Sequence, residues 1–172
     1  MARRTRLTDF QRSLSERLAQ AAQRAVVVGN RLGVESGGEH WLLRLDQVGE
    51  ILFLSEIQEV PATQRWFRGV VNVRGQLMGA VDWSEFQGGA PTPVNYRTRL
   101  VLLSDRLGVP AGLLVGAVTG LRNVQGLETV PLEASDTAWK VASYRGSDGR
   151  VWHEPDLAVL AHEESFLKIE AH

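Results

Sequence analysis

After Trp41 the apolar residues come in short runs broken by glycine, and their spacing predicts strands more often than helices. Trp41-Leu42-Leu43-Arg44-Leu45 and Glu50-Ile51-Leu52-Phe53-Leu54 read as two such strands. Val70 to Val73 and Leu77 to Val81 flank Arg74-Gly75, a pattern that predicts a hairpin. Gly75 can supply the positive φ of a tight turn without a Cβ penalty. Arg99-Leu100-Val101-Leu102-Leu103 predicts a further strand, and Trp139 to Tyr144 with Val151-Trp152 predicts a hairpin about Gly146-Ser147-Asp148-Gly149. Val71, Val73, Val81, Val101 and Leu114 are the expected core. The longest uncharged run, residues 107–121, has glycines at 108, 112, 116 and 120 and Pro110 near its start. Such a run makes a poor soluble helix and is read as two buried β segments with a bend.

Helical periodicity is confined to the ends. Over residues 8–25, Phe10, Leu14, Leu18, Ala21 and Ala25 recur at helical spacing behind a Thr8…Gln11 capping box. Asp156 is placed to cap a helix through Leu157, Leu160 and Phe166. Gly37-Gly38 marks a boundary, and residues 88–93 form a Gly- and Pro-rich loop. The expected organisation is a helical N-terminal extension over residues 1–38 and a mainly β domain over residues 39–168. Many short strands with glycine turns imply a barrel or a sandwich.

Composition narrows the classes. The 172 residues are 44% hydrophobic with a formal net charge of −1, which suits a folded domain and argues against a dedicated nucleic-acid binder. There is no cysteine, so disulfides and thiolate metal sites are excluded. The basic start Met1-Ala2-Arg3-Arg4-Thr5-Arg6 has no apolar stretch behind it, so a secretory signal is not expected. The uncharged run is shorter than the ~20 residues that span a bilayer, so membrane insertion is not expected. The first 38 residues carry seven arginines against Asp9, Glu16 and Glu35. That basic helix either packs on its own domain or meets a membrane surface or an acidic partner.

Candidate chemistry is sparse. His153-Glu154-Pro155-Asp156 and His162-Glu163-Glu164 lack the paired-histidine spacing of a metal motif. No phosphate-cradling glycine loop and no nucleophile elbow occurs. Asp82 and Glu85 are three apart, but nothing supplies a partner acid, and a structural role in a turn is expected. No cofactor is expected. Arg74 at a hairpin tip is either a solvated turn residue or a contact that pairs with an acceptor on another protein. Gly69 either starts a strand or lets a partner approach closely. Val48 and Glu50 alternate with Gly49 and Ile51, so a buried Ile51 leaves Glu50 outward. Trp66-Phe67 are expected in the core.

The ordered set of motifs resembles the CheW-like coupling domains of bacterial chemosensory arrays. Asn72-Val73-Arg74-Gly75 followed by an apolar strand ending in Val81-Asp82 is similar to their signature. Val48-Gly49-Glu50-Ile51, Pro61, the strand from Arg99, Gly112-Leu113-Leu114-Val115 with Val118, Asp148-Gly149-Arg150 and Asp156 to Leu160 follow in family order over residues 40–162. The resemblance implies two five-stranded SH3-like barrels packed on each other, with helices at the two ends of the chain. It implies a non-catalytic adaptor between a methyl-accepting receptor tip and the regulatory domain of a CheA-type histidine kinase, in the cytoplasm at receptor arrays. It also implies partner contacts at Val48, Glu50, Gly69, Asn72, Arg74 and Gly75. Gly116 stands where the family often has Asp, so a contact of that carboxylate is not carried over. The bulky Trp139 and Trp152 and the terminal extensions resemble the pilus branch, which serves twitching motility, more than the flagellar one. On the residues alone two competitors stay open: a β-barrel module for nucleic acid or another partner, and a small enzyme using Asp82, Glu85 or His153.

Overall fold

The computed structural model describes residues 29–134 and 136–171. Eleven strands lie among these residues, in two packed sheets. The middle of the chain forms one sheet from β3 (Val48–Phe53), β4 (Phe67–Val73), β5 (Gln76–Asp82), β6 (Arg99–Leu103) and β7 (Ala111–Val115), in the order β3-β6-β7-β5-β4. Both flanks of the chain build the other: β1 (Asn30–Ser36), β2 (Glu39–Arg44), β8 (Ala117–Asn123), β9 (Glu128–Val130), β10 (Lys140–Arg145) and β11 (Val151–Pro155), in the order β8-β1-β2-β11-β10-β9. The three-residue β9 brings this sheet to six strands. The expected helix over residues 8–25 lies outside the described residues.

The five-stranded sheet closes on itself. Its end strands β3 and β4 do not pair directly. Gln58, downstream of β3, exchanges two backbone hydrogen bonds with Val70 of β4, at 2.8 and 2.9 Å. This bridge completes a barrel, and Val71, Met78, Ala80, Leu100, Leu102 and Leu114 fill its interior, flanked by Leu52, Leu54 and Ile57. A second apolar layer lies between the sheets: Leu32, Val34, Trp41 and Leu43 meet Val81, Val101, Leu103, Leu113 and Val115. Strand alternation explains how β7 serves both layers. Leu113 faces the other sheet and Leu114 faces the barrel interior, and both are fully buried. Val71, Val81, Val101 and Leu114 are thus in the core, as expected, whereas Val73 is only half-buried against it.

The bend in the uncharged run is Gly116, where the chain leaves the barrel at β7 and enters the other sheet at β8. Its N–H donates to the Glu35 carbonyl at 2.8 Å. The strand content also begins earlier than Trp41. β1 pairs with β2 through Ser36↔Glu39, so Gly37-Gly38, both at positive φ, form a hairpin turn inside one sheet. Leu32, Val34 and Ser36 alternate as buried positions in β1, a pattern hidden in sequence by Gly33 and the intervening charges.

Short caps finish the molecule. Asp82 caps the one-turn helix Trp83–Phe86, and Asp156 caps Leu157–Leu160 by accepting from the Ala158 and Val159 N–H groups. Phe166 lies on a separate turn, Glu164–Leu167, and not on one continuous helix from Asp156. Gln47, 5% exposed, ties the caps to the β2–β3 junction: its Nε2 donates to Asp156 at 2.8 Å and its Oε1 accepts from the Leu157 N–H at 2.9 Å. Trp139 and Trp152 are buried.

Candidate partner-binding site

The β4–β5 hairpin turns in two residues. Val73 pairs with Gln76, and Arg74 and Gly75 have φ of 51° and 84°, the two positive values of a type I′ turn. The Asn72 side chain braces the turn by accepting from the Gly75 N–H at 2.8 Å. Among the described residues, Arg74 and Ala62 are the two non-glycines at positive φ. A left-handed L-residue costs roughly 1–2 kcal/mol, and asparagine or glycine is the ordinary choice at this place.

Glu50 meets that arginine. Arg74 Nη2 lies 2.8 Å from Glu50 Oε1, with side chains 78% and 42% exposed. An exposed pair of this kind is worth about 0–1 kcal/mol, too little to explain the strained arginine on stability grounds alone. The pair forms across the closed barrel, since β3 and β4 stand at opposite ends of the strand order. Glu50 and Arg74 border a concavity of about 480 Å³ floored by Val73, Met78 and Leu102 and flanked by Asp105 and Arg106. Asp105 and Arg106 belong to the 3-10 turn Asp105–Leu107. They escaped the sequence reading, where only their place between two apolar strands could have flagged them.

The remaining expected contacts fall elsewhere. Val48 is half-buried and packs on the layer between the sheets. Gly69 is buried at φ 131°, and a Cβ there would lie 2.2 Å from the Gln58 carbonyl oxygen, so the barrel closure itself requires glycine. Asn72 opens onto a neighbouring concavity with Gln58, Val70 and Leu77. One expectation is corrected. Ile51 is 40% exposed because a bulge between Val48 and Ile51 reverses the alternation, which sends Leu52 inward and Ile51 and Phe53 outward. Leu77 is 61% exposed, because Met78 and Ala80 are the inward residues of β5.

The candidate acids and histidines have structural partners. Asp82 is fully buried and accepts from Thr92 N–H (2.8 Å), Thr92 Oγ1 (2.6 Å), Arg68 Nη1 (3.1 Å) and the Glu85 N–H (3.3 Å). It pins the residues after β5 and leaves no lone pair for a substrate. His153 sits beside Trp41, with Nδ1 2.9 Å from Ser143 Oγ. Burial, then the nearby Lys140 charge, holds its pKa below the ordinary histidine value. Ser143 is itself buried and His153 half-buried. His162 Nδ1 donates to the Ala158 carbonyl at 2.8 Å. Among the described residues no group of three or more His, Asp or Glu side chains is placed to hold a metal. Trp66 and Phe67 are half-buried against the layer between the sheets. Among the described residues no helix is long and apolar enough to cross a membrane.

Residues 31–165, nearly all of the two-sheet unit, match the model of the CheW-like domain. The chain belongs to the CheW-like family. It is 34% identical over 103 residues to protein PilI of Pseudomonas aeruginosa, a match covering 60% of this chain and 57% of that protein. Its fold matches the crystal structure of the scaffolding protein TtCheW from Thermoanaerobacter tengcongensis, with a TM-score of 0.67 at 21% identity over 80% of this chain and 94% of that one. Within the matched residues, Asn72-Val73-Arg74-Gly75 makes the type I′ turn and Glu50 of β3 supplies the carboxylate facing it.

Proposed function

We propose that this protein is a non-catalytic adaptor that joins a methyl-accepting receptor to a CheA-type histidine kinase, in a chemosensory system controlling type IV pilus twitching. Family membership and the PilI likeness support the reading. The observation that carries it is the Glu50–Arg74 pair, an exposed arginine kept at positive φ with no matching return in stability. Fixed charges around an apolar floor suit recognition of another protein, with charge setting register and the floor taking an apolar side chain. The adaptor works through binding geometry. By contacting receptor and kinase together it transmits a change only as far as its contacts differ between their states.

The test is direct binding of the purified chain to the kinase regulatory domain and to a receptor tip, by calorimetry, beside a pull-down from the native host. A kinase and a receptor among the captured proteins, each bound saturably, are the expected result. Binding to neither overturns the reading.

A further inference from the structure

The end of the chain returns to the loop between β3 and β4. The Gln64 N–H donates to the Ile169 carbonyl at 2.7 Å, and the Ala171 N–H donates to the Ala62 carbonyl at 2.9 Å. Gln64 Nε2 donates to the Glu170 carbonyl at 2.8 Å, and Thr63 pairs with Glu170 as an antiparallel bridge. Just upstream, Phe166 is 3% exposed and stacks on Trp66, with planes 7° apart and centroids at 6.3 Å. It also meets Phe86 edge-on at 5.5 Å. Backbone bonds and an aromatic stack thus fasten residues 164–171 to residues 62–66.

That loop has a mechanical task. It carries Gln58, whose two bonds to Val70 close the barrel, and closure is what brings Glu50 of β3 to Arg74 in the turn after β4. The middle of the loop has little packing of its own. Residues 58–62 are exposed, and Ala62 sits at φ 57°. Segments with few buried contacts open at low free energy. Leu54 and Ile57 hold its start on the barrel interior, and the Trp66 carbonyl, accepting from the Asp82 N–H at 2.7 Å, holds its end. Between them, beyond the Gln58 bridge, the anchors are the Thr63 Oγ1 bond to the Val60 carbonyl and the bonds from residues 169–171.

We propose that residues 164–171 act as a clamp. Seated on residues 62–66, they keep the Gln58–Val70 bridge formed and so set the spacing of Glu50 and Arg74. The consequence for partner affinity rests on the adaptor reading; the clamp itself does not. Release of the segment, by a partner or by proteolysis, loosens the barrel at its seam and leaves the other sheet intact.

The experiment compares the full chain with the double variant Gln64→Leu/Ala171→Pro. This removes the Gln64 side-chain donor and the Ala171 N–H while leaving the Phe166 stack in place. Amide exchange is read at Phe67 and Val70, whose N–H groups bond Gln64 and Gln58, and at the amides of β1 and β2. The expected result is about tenfold faster exchange at Phe67 and Val70 with β1 and β2 unchanged. Affinity for the kinase domain and the receptor tip should weaken in step. Unchanged exchange at Val70 overturns the clamp, and so does equal acceleration in both sheets, which means general destabilisation. If the double variant does not fold, Ala171→Pro alone is read in the same way. Faster exchange at Val70 with parental affinity overturns the link to the site. A parent chain that binds neither partner removes the adaptor reading, and exchange at Val70 still decides the clamp.

Discussion

Arg74 combines strain with exposure, and that combination separates a contact residue from a structural one. Its side chain makes an ion pair worth little in water, yet its backbone occupies a conformation that asparagine adopts more easily. Arg74→Asn should therefore fold with a melting temperature equal to or above the parent, since relief of about 1 kcal/mol offsets the lost pair. It should bind partners more weakly. Arg74→Glu sets a carboxylate beside Glu50 and should abolish binding while changing stability by about 0.5 kcal/mol, as at other exposed sites. Thermal melts beside calorimetry with the kinase domain check both variants; parental affinity in both would remove Arg74 from the site. His153 offers a pH test of a different kind. Burial, with Lys140 nearby, favours its neutral imidazole in the fold, so the unfolded chain binds the proton more readily. The stability it contributes is complete above the unfolded value of about 6.5 and declines as pH falls below it. Urea melts at about pH 7.5 and about pH 5 should show a larger acid loss in the parent than in His153→Gln; equal losses would mean that His153 is not the group responsible.

At the scale of elements, what could be read in advance depended on how local the cause was. The β4–β5 hairpin, the β10–β11 hairpin and the Asp156 cap are specified by residues next to one another, and all three appear where the pattern put them. The bulge in β3 was not legible, because it answers to the facing strand: Val48 must match Leu103 while Ile51 matches Val101. Gln58 closing the barrel was equally hidden, since an isolated bridge leaves no periodicity. Arg74 and Glu50 could be named separately from sequence, but their contact depends on that closure. Gly69 shows how the two scales meet. Gly69→Ala would press a Cβ against the Gln58 carbonyl at φ 131° and should cost more than about 2 kcal/mol, whereas Gly75→Ala, with open space around it, should cost only about 1 kcal/mol from φ. Chemical denaturation of the pair distinguishes them. Equal costs would mean that the seam yields easily and that glycine at position 69 is not needed for closure.

The molecule as a whole is two sheets sharing one apolar layer, and this layer decides whether an adaptor is rigid or jointed. The barrel has its own interior, but the layer between the sheets draws on β1 and β2 from one side and on β5, β6 and β7 from the other. Trp41, Trp83 and Trp139 interlock there, with ring centroids 5.2 to 6.0 Å apart, so β2, the turn that follows β5 and the residue that precedes β10 meet in one cluster. A partner bound beside Glu50 and Arg74 can influence the other sheet through this layer, because packed interiors transmit strain instead of absorbing it. Leu113 tests the idea, since it is fully buried on the middle strand of the barrel sheet and faces the other sheet. Leu113→Ala removes apolar contact and leaves a cavity, a change that costs about 2–5 kcal/mol. Both sheets should still unfold together, with tryptophan fluorescence and far-ultraviolet circular dichroism falling along the same curve. Two separated transitions in the parent would mean that the sheets are independent units and that the layer between them is a joint. A single transition, shifted to lower denaturant in the variant at unchanged slope, is what one rigid connector requires.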